Sequence, residues 1–365
     1  MRLLSEPRLD FDDVLILPKR SQAGSREEVQ LERTFKMKHS HQEITCVPIL
    51  PSNMFATGSI KMSEVFNSNY MPGCLHKYYT NQEITNHLVL EKKMPMRGRI
   101  SFSTFGESDG EFARLNDFLS GYSHEMNSRW HLPSFICIDV ANGYRARFVD
   151  YIKRVRELVK NGVLMVGNVC TAEMTNELIM AGADIIKIGI GPGSVCETRS
   201  VTGVGNPQLS AIIECADAAH GLQAFICADG GMKTSGDICK AFCAGADFVM
   251  LGGMLAGTDE CNGQWNTEYI SGFDAWQPEL STKPRTIKKS LKFFGMSSYE
   301  AMQQFGGADK EYRASEGKCI EVPYKGPVAD VIKEIHGGLR SCATYIGADR
   351  IKDFSKCATL IRKAS

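Results

Sequence analysis

Eight short apolar or β-branched runs recur along the chain: Ile44 to Leu50, Tyr70 to Leu75, Ile100 to Phe105, Phe135 to Val140, Val163 to Val166, Asp184 to Gly189, Ala224 to Asp229 and Asp247 to Leu251. Most precede a segment of helical period. After the fourth run, Phe148, Ile152, Val155 and Val159 recur every three or four residues, which places them on one face of a helix. Gln208 to Ala219 reads as another helix, and Gly182, Gly221 and Gly245 stand just ahead of strands, where helix C-terminal glycines belong. Strand and helix alternating in eight repeats predict an α/β chain folded as a (β/α)₈ barrel of the TIM type. A doubly wound open sheet would show the same buried, near-continuous strands. Glycines and polar residues at the ends of the runs favour the barrel. Asp139-Val140-Ala141-Asn142-Gly143, Gly167-Asn168, Asp229-Gly230-Gly231 and Gly252-Gly253 all sit at or just past C-terminal strand ends, the face on which barrels carry their active sites.

Residues outside the repeats divide into four parts. Residues 1 to 40 read as an N-terminal extension covering part of the barrel. Residues 258 to 295, with Trp265, Phe273, Trp276 and the run Lys288-Lys289-Ser290-Leu291-Lys292, show no clear long helix or strand and read as an excursion after strand eight. Residues 305 to 327 read as a second, mobile flap loop. Val328 to Ile335 and Ile351 to Lys363 read as two closing helices. Neither a linker nor a low-complexity stretch interrupts the chain, so residues 1 to 365 are expected to form one domain, with 258 to 327 as excursion and flap.

The charge balance narrows the partners. Across 365 residues, 42 Lys and Arg offset 42 Asp and Glu, and no charged block suggests a nucleic-acid tail. No apolar run has the length of a membrane span, and the first residues lack the apolar core of a leader. The 13 cysteines are odd in number and scattered, with no CxxC pair or His/Cys cluster. Reduced thiols in a cytoplasmic protein are expected, most of them small buried apolar residues such as Cys215, Cys239 and Cys243 in helical segments.

One cysteine stands apart. The run Ile186-Lys187-Ile188-Gly189 stops in the loop Ile190-Gly191-Pro192-Gly193-Ser194-Val195-Cys196-Glu197-Thr198-Arg199. Glycines let backbone N–H groups converge on an anion, and a thiol close to Arg199 is placed to be a lowered-pKa nucleophile. Barrels often bind phosphate on the loops after strands seven and eight, here Gly230-Gly231 and Gly252-Gly253. With Ser194 as a hydroxyl donor these loops predict a phosphate-bearing ligand. Asp229 is too acidic to face the phosphate and is expected to accept ribose hydroxyls. The rest of the ligand would then run past Cys196, which suits covalent attack on an electrophilic ring carbon.

Ile188 to Arg199, Thr202-Gly203-Val204-Gly205 with Pro207-Gln208-Leu209-Ser210, Glu214 to Gly221, Gly245 to Met254 and Gly295-Met296-Ser297-Ser298 closely resemble the IMP dehydrogenase/GMP reductase family, over about Phe11 to Phe354. Tyr312 to Lys318 and Ser341-Cys342-Ala343-Thr344-Tyr345 resemble its reductase branch, and the cystathionine-synthase-type (CBS) insert usual in the dehydrogenases is missing. The resemblance implies NADPH-dependent conversion of GMP to IMP and ammonia through a thioimidate on Cys196, with Thr198 and Glu316 as the acid/base pair. It implies GMP contacts from Ser194, Asp229, Gly230, Gly231, Gly252, Gly253, Gly295, Met296, Ser297, Arg313 and Gly317. Cofactor contacts fall on Ser25, Arg26, Lys77, Asp139, Val140 and Ala141, with Ser341 and Tyr345 from a neighbouring subunit of a homotetramer. A monovalent cation, K⁺, falls on the carbonyls of Gly191, Gly193 and Cys196.

Several positions depart from the family pattern. Asn53-Met54-Phe55 replaces Asn-Met-Asp, Val201 stands where a basic residue is common, Asn206 where an aromatic is usual, and the excursion is long. Two alternatives to the reductase stand beside it: a purine-nucleotide-binding protein, or enzyme for a related nucleotide, that has diverged, and an IMP dehydrogenase, against which Glu316 argues.

Overall fold

The computed structural model describes residues 3–21, 25–91, 100–126, 134–271, 285–306 and 314–363. The chain ahead of the barrel holds three short strands, β1 (Val14–Ile16) and β2 (Arg33–Lys36) in the extension and β3 (Glu43–Cys46) just past it. Eight parallel strands come next: β4 (Ile49–Pro51), β5 (Gly73–Leu75), β6 (Ser101–Phe105), β7 (Phe135–Asp139), β8 (Val163–Val169), β9 (Ile185–Ile188), β10 (Phe225–Asp229) and β11 (Phe248–Leu251). Their order, β4-β11-β10-β9-β8-β7-β6-β5, brings the first and last strands together and nearly closes the sheet into a (β/α)₈ barrel. Helices α1 (Ile60–Ser68), α2 (Asn81–Glu91), α3 (Asp109–Met126), α4 (Ala146–Val159), α5 (Ala172–Met180), the short α6 (Thr198–Thr202), α7 (Gln208–Gly221) and α8 (Ser235–Cys243) return the chain between strands. Then come β12 (Trp265–Ile270), β13 (Arg285–Phe294), α9 (Tyr299–Phe305), β14 (Cys319–Pro323), α10 (Val328–Ile346), α11 (Phe354–Cys357) and β15 (Leu360–Arg362).

Each strand reads as a continuous apolar run because both of its faces are covered. One set, including Leu50, Phe102, Cys137, Met165, Ile185 and Met250, fills the barrel interior, and the other packs against the helices. The predicted stripe of α4 is buried at all four positions, and Cys215, Cys239 and Cys243 are buried in α7 and α8. Local signals start the helices. Thr234 and Asp237 cap each other at the start of α8, each side chain accepting the other's backbone N–H at 3.2 Å. Gly221, by contrast, lies inside α7, and Gln223 (φ 59) makes the left-handed turn before β10.

The extension is a plug. The run Ile44 to Leu50, expected to be one barrel strand, is two: β3 pairs with β2 in a hairpin, and only β4 joins the barrel. Phe35 from that hairpin stacks on Phe248 at 4.3 Å between ring centres and meets Phe225 edge-on at 5.2 Å, closing the N-terminal mouth. Two fully buried aspartates just ahead of β9 and β11 anchor it. Asp184 accepts the N–H groups of His39 and Ser40 and pairs with Arg156 at 2.8 Å, and Asp247 pairs with Arg33 at 2.8 Å. Burying a carboxylate is tolerable only with such partners.

The excursion also departs from expectation. Residues 258 to 295 carry two strands, and β12-β13-β14 form an antiparallel sheet in which Trp265 pairs with Leu291 and Phe294 with Cys319. The flap expected at 305 to 327 therefore contains a strand. Phe273 and Trp276 lie outside the described residues. α10 runs eleven residues past the predicted end at Ile335, and Ile351 to Lys363 is part helix, part strand, with β15 pairing to β1. No helix among the described residues is long and apolar enough to cross a membrane.

Phe35→Ala should empty the barrel mouth and lower unfolding free energy by about 3–5 kcal/mol, measured by urea titration. An unchanged midpoint would show that the hairpin does not close the core.

Candidate active site

β9 ends at a position only glycine tolerates. Gly189 has φ +150°, and a Cβ there would lie 2.2 Å from the Asp229 carbonyl oxygen. The loop beyond it runs past the ends of β10 and β11. A Cβ on Gly230 would meet Gly193 N and Pro192 Cγ at 3.3 Å, one on Gly231 Pro192 Cβ at 3.3 Å, and one on Gly253 Ser194 Oγ at 2.7 Å. The three glycine loops thus converge on one cradle that includes Ser194, Gly230, Gly231, Gly252 and Gly253. Backbone held this close, without side chains, presents N–H groups to an anion.

At the loop's end the Cys196 N–H donates to Gly193 O at 3.0 Å, and Cys196 Sγ lies 3.3 Å from Thr198 Oγ1. Thr198 Oγ1 donates to Glu316 Oε2 at 2.8 Å. The hydroxyl has a single proton, so its bond to the carboxylate leaves a lone pair to accept the thiol S–H. Thiol, hydroxyl and carboxylate form a line along which a proton can move.

Glu316 reaches this line through backbone pairing. Glu197 N–H donates to Glu316 O at 2.7 Å, Glu316 N–H to Ser297 O at 3.1 Å, and Lys318 N–H to Val195 O at 3.1 Å. Three chain segments lie in contact because two of their residues lack a side chain. A Cβ on Gly295 would sit 2.6 Å from Val195 O and 3.2 Å from Gly317 Cα. Ser298 then caps α9, accepting the Ala301 N–H at 3.2 Å, which fixes the Gly295-Met296-Ser297 turn beside the thiol. Arg313 lies outside the described residues.

Arg199 does not serve the thiol. Its guanidinium pairs with Asp10 at 3.0 Å and donates to the carbonyls of Asn206 at 2.6 Å and Ile190 at 3.3 Å. Its work is to hold the loop's outer end, and the partner of Cys196 is Thr198.

Lys187 is a site residue that the sequence pattern did not single out. Its side chain is 1 % exposed, and its ammonium bonds Asp139, Asp229 at 3.2 Å and Asn53 Oδ1 at 3.2 Å. Gly167, opposite Lys187 on β8, makes the room, because a Cβ there would lie 2.6 Å from Lys187 Cβ. Asp229 also accepts Asn168 Nδ2 at 2.8 Å, and Gln208 Nε2 holds its carbonyl at 3.2 Å. Burial pushes the Asp139 carboxyl up, but Lys187, Lys77 and Asn53 outweigh it and hold the group below its ordinary value. Burial likewise lowers Lys187, yet Asp139 and Asp229 hold the ammonium well above its usual range. The signal was a single charge inside an apolar strand.

The residues expected at the cofactor fall in two groups. Lys77, Asp139, Val140 and Ala141 lie at or beyond the ends of β5 and β7, with Val140 N–H bonded to Gly167 O at 2.8 Å. Ser25 caps the short 3₁₀ turn Arg26–Glu28, which packs against α10, the helix carrying Ser341 and Tyr345. Lys19 N–H donates to Tyr345 O at 2.9 Å, and Gln30 N–H to Asp349 O at 2.9 Å. Ser25, Arg26, Ser341 and Tyr345 are thus gathered in one chain.

Phe55 lies 5.4 Å from the ring of His76, 6.1 Å from Phe294 and 5.2 Å from Phe305. Burial pushes His76 down to about 4, so this cluster is uncharged at neutral pH. Phe55 and Phe294 also line a groove of about 610 Å³ with Gln264, Lys292, Gln303 and Gln304. Val201 is exposed, and Asn206 Nδ2 bonds Cys170 O at 2.9 Å.

The chain matches the model of the IMP dehydrogenase / GMP reductase domain over residues 8–365 and belongs to that family. It is 45% identical over 362 residues to the GMP reductase of Aeromonas hydrophila, covering 99% of this chain and 96% of that protein. It is 44% identical over 365 residues to GMP reductase 1 of Homo sapiens, at 99% and 96% coverage, and 46% identical over 364 residues to the GMP reductase of Yersinia pestis, at 100% and 97%.

Lys187→Met leaves two carboxylates facing each other without their cation, and should cost about 3–5 kcal/mol in urea unfolding at neutral pH. Because Asp139 is held below its ordinary value of 3.8, its contribution is full above that pH and is lost as pH falls through the lower folded-state value. The variant should lose less stability than wild type below about pH 4; parallel acid profiles would contradict the coupling.

Proposed function

We propose that this protein catalyses the reductive deamination of GMP to IMP and ammonia with NADPH as reductant. The observation that carries the reading is the line Cys196–Thr198–Glu316, at 3.3 Å and 2.8 Å, beside a cradle suited to a nucleotide phosphate. Family membership and relatives named GMP reductase support it.

Ser194 and the backbone N–H groups of Gly230, Gly231, Gly252 and Gly253 hold the phosphate, and Asp229 accepts the ribose hydroxyls. Gly295, Met296, Ser297, Arg313 and Gly317 border the base. Cys196 gives up its proton through Thr198 to Glu316, and the sulfur adds to C2 of the purine. Glu316 returns a proton through Thr198 to the amine, the C2–N bond breaks, ammonia leaves, and a thioimidate remains on Cys196. NADPH supplies the hydride that takes the amine's place at C2. The C2–S bond then breaks, the electron pair returns to sulfur, and IMP is released.

The chain's donors fit such a cofactor. Arg26 and the hydroxyls of Ser25, Ser341 and Tyr345 suit a 2′-phosphorylated adenosine, and Tyr345 is 61% exposed. Lys77, Asp139, Val140 and Ala141 take the other end. Ser341 and Tyr345 serve a neighbouring copy within a homotetramer, and Ser25 and Arg26, packed beside α10 in the same chain, go with them rather than with the Lys77 group. The carbonyls of Gly191, Gly193 and Cys196 are hard oxygen donors suited to K⁺. We place the protein in the cytoplasm, in purine salvage.

Incubation with GMP and NADPH should consume cofactor absorbance, and Cys196→Ala should abolish it. Glu316→Gln should slow turnover by about 10²–10⁴-fold while calorimetry still detects GMP binding. Turnover that survives Cys196→Ala, or activity with IMP and NAD⁺ alone, would overturn the assignment.

A further inference from the structure

The loop after β4 is tied firmly to the barrel. Ser52 N–H donates to Leu251 O at 2.8 Å, Thr57 Oγ1 to Ser52 O at 2.9 Å, and Gly58 N–H to Met54 O at 2.7 Å. Asn53 Oδ1 accepts the Lys187 ammonium at 3.2 Å, and Ala56 O accepts the Asn262 N–H at 2.9 Å. Thr57, Gly58 and Ser59 are buried. Phe55 stands in the middle of this fixed loop.

Phe55 is also where the loop meets the segment from β13 to α9. Its N–H donates to Met296 Sδ at 3.4 Å. Its ring lies 6.1 Å from Phe294, stacked at 17°, and 5.2 Å from Phe305, edge-on at 61°. Aromatic pairs at these spacings and angles attract each other beyond the area they bury. The contacts bracket the Gly295-Met296-Ser297 turn, since Phe294 precedes it and Phe305 ends the helix that follows. His76, at 5.4 Å from Phe55, and Tyr78, at 3.7 Å from Phe305, complete the cluster from the barrel side. The aspartate of the family pattern could make none of these ring contacts.

The bracketed turn places a reacting group. Ser297 O accepts the Glu316 N–H at 3.1 Å, and Gly317 bridges to both Ser298 and Cys196. Glu316 Oε2 in turn holds Thr198 Oγ1 at 2.8 Å. We propose that Phe55 is a positioning residue for the proton line: its ring pins the Gly295-Met296-Ser297 turn to the barrel and thereby sets the Glu316 carboxylate on Thr198. The consequence for turnover rests on the function proposed above.

The test uses the full chain. The Phe55 N–H remains in every variant, so Phe55→Leu and Phe55→Ala remove the ring by steps. With GMP and NADPH, Phe55→Ala should lower kcat by about 10²-fold, the scale of loss when a reacting group is slightly misplaced. Phe55→Leu keeps most of the apolar bulk and should recover part of that loss. In a Glu316→Gln background Phe55→Ala should cost little more, because ring and carboxylate act on one path. Wild-type kcat in Phe55→Ala, or a loss that multiplies fully with that of Glu316→Gln, overturns the proposal. Wild type that leaves NADPH unconsumed denies the reductase reading instead, and amide hydrogen exchange on the unliganded chain then decides the positioning role without turnover. Phe55→Ala should speed exchange in peptides covering Phe294 to Phe305 and Glu316 to Lys318, while β8, β9 and β10 keep their protection. Unchanged exchange in those peptides, or faster exchange throughout the barrel, overturns it.

Discussion

An ammonium in the wall of the barrel sets the geometry on which the site depends. Lys187 sits on β9 between the carboxylates of Asp139 on β7 and Asp229 on β10, with Gly167 of β8 stripped of a side chain to admit it. Two carboxylates this close would repel each other if no cation lay between them. With it, the two acids are held in fixed positions at the ends of β7 and β10, so strand register sets where they stand.

The proton line works differently. Its parts come from positions more than a hundred residues apart, and what joins them is backbone pairing between the Cys196 loop, the Gly295 turn and the stretch around Gly317. None of those bonds needs a particular side chain. The side-chain requirement is negative, namely that Gly295 and Gly317 have none.

The barrel was legible because strands covered on both faces leave continuous apolar runs, and each run after the first falls on a single barrel strand. The first run misled because two strands with different partners, β3 and β4, abut with only two residues between them. β12 and β13 were invisible for the opposite reason. They are mostly half-buried or exposed, with Lys288 over the Trp265 ring at 4.3 Å, and only Leu291 and Phe293 are buried, too few to mark a strand. The predicted end of α10 came too early because Gly337-Gly338 reads as a break, whereas that pair lies within the helix and Gly338 serves its close packing on α8. Cys196 and the glycine loops could be placed from local spacing, and Thr198 only from the family resemblance. Lys187 could not, since only the closed barrel brings its two acids to it.

The pairing of β1 with β15, Val14 opposite Arg362, draws segments from opposite ends of the described chain into a single small sheet. A ribosome releases β15 only after the whole barrel has been made. Loop-closure entropy for such a span must be offset by contacts already formed elsewhere. The barrel therefore has to take shape before that seam closes. Until then β1 is an unpaired edge on the nascent chain, open to strands of its neighbours on the same messenger.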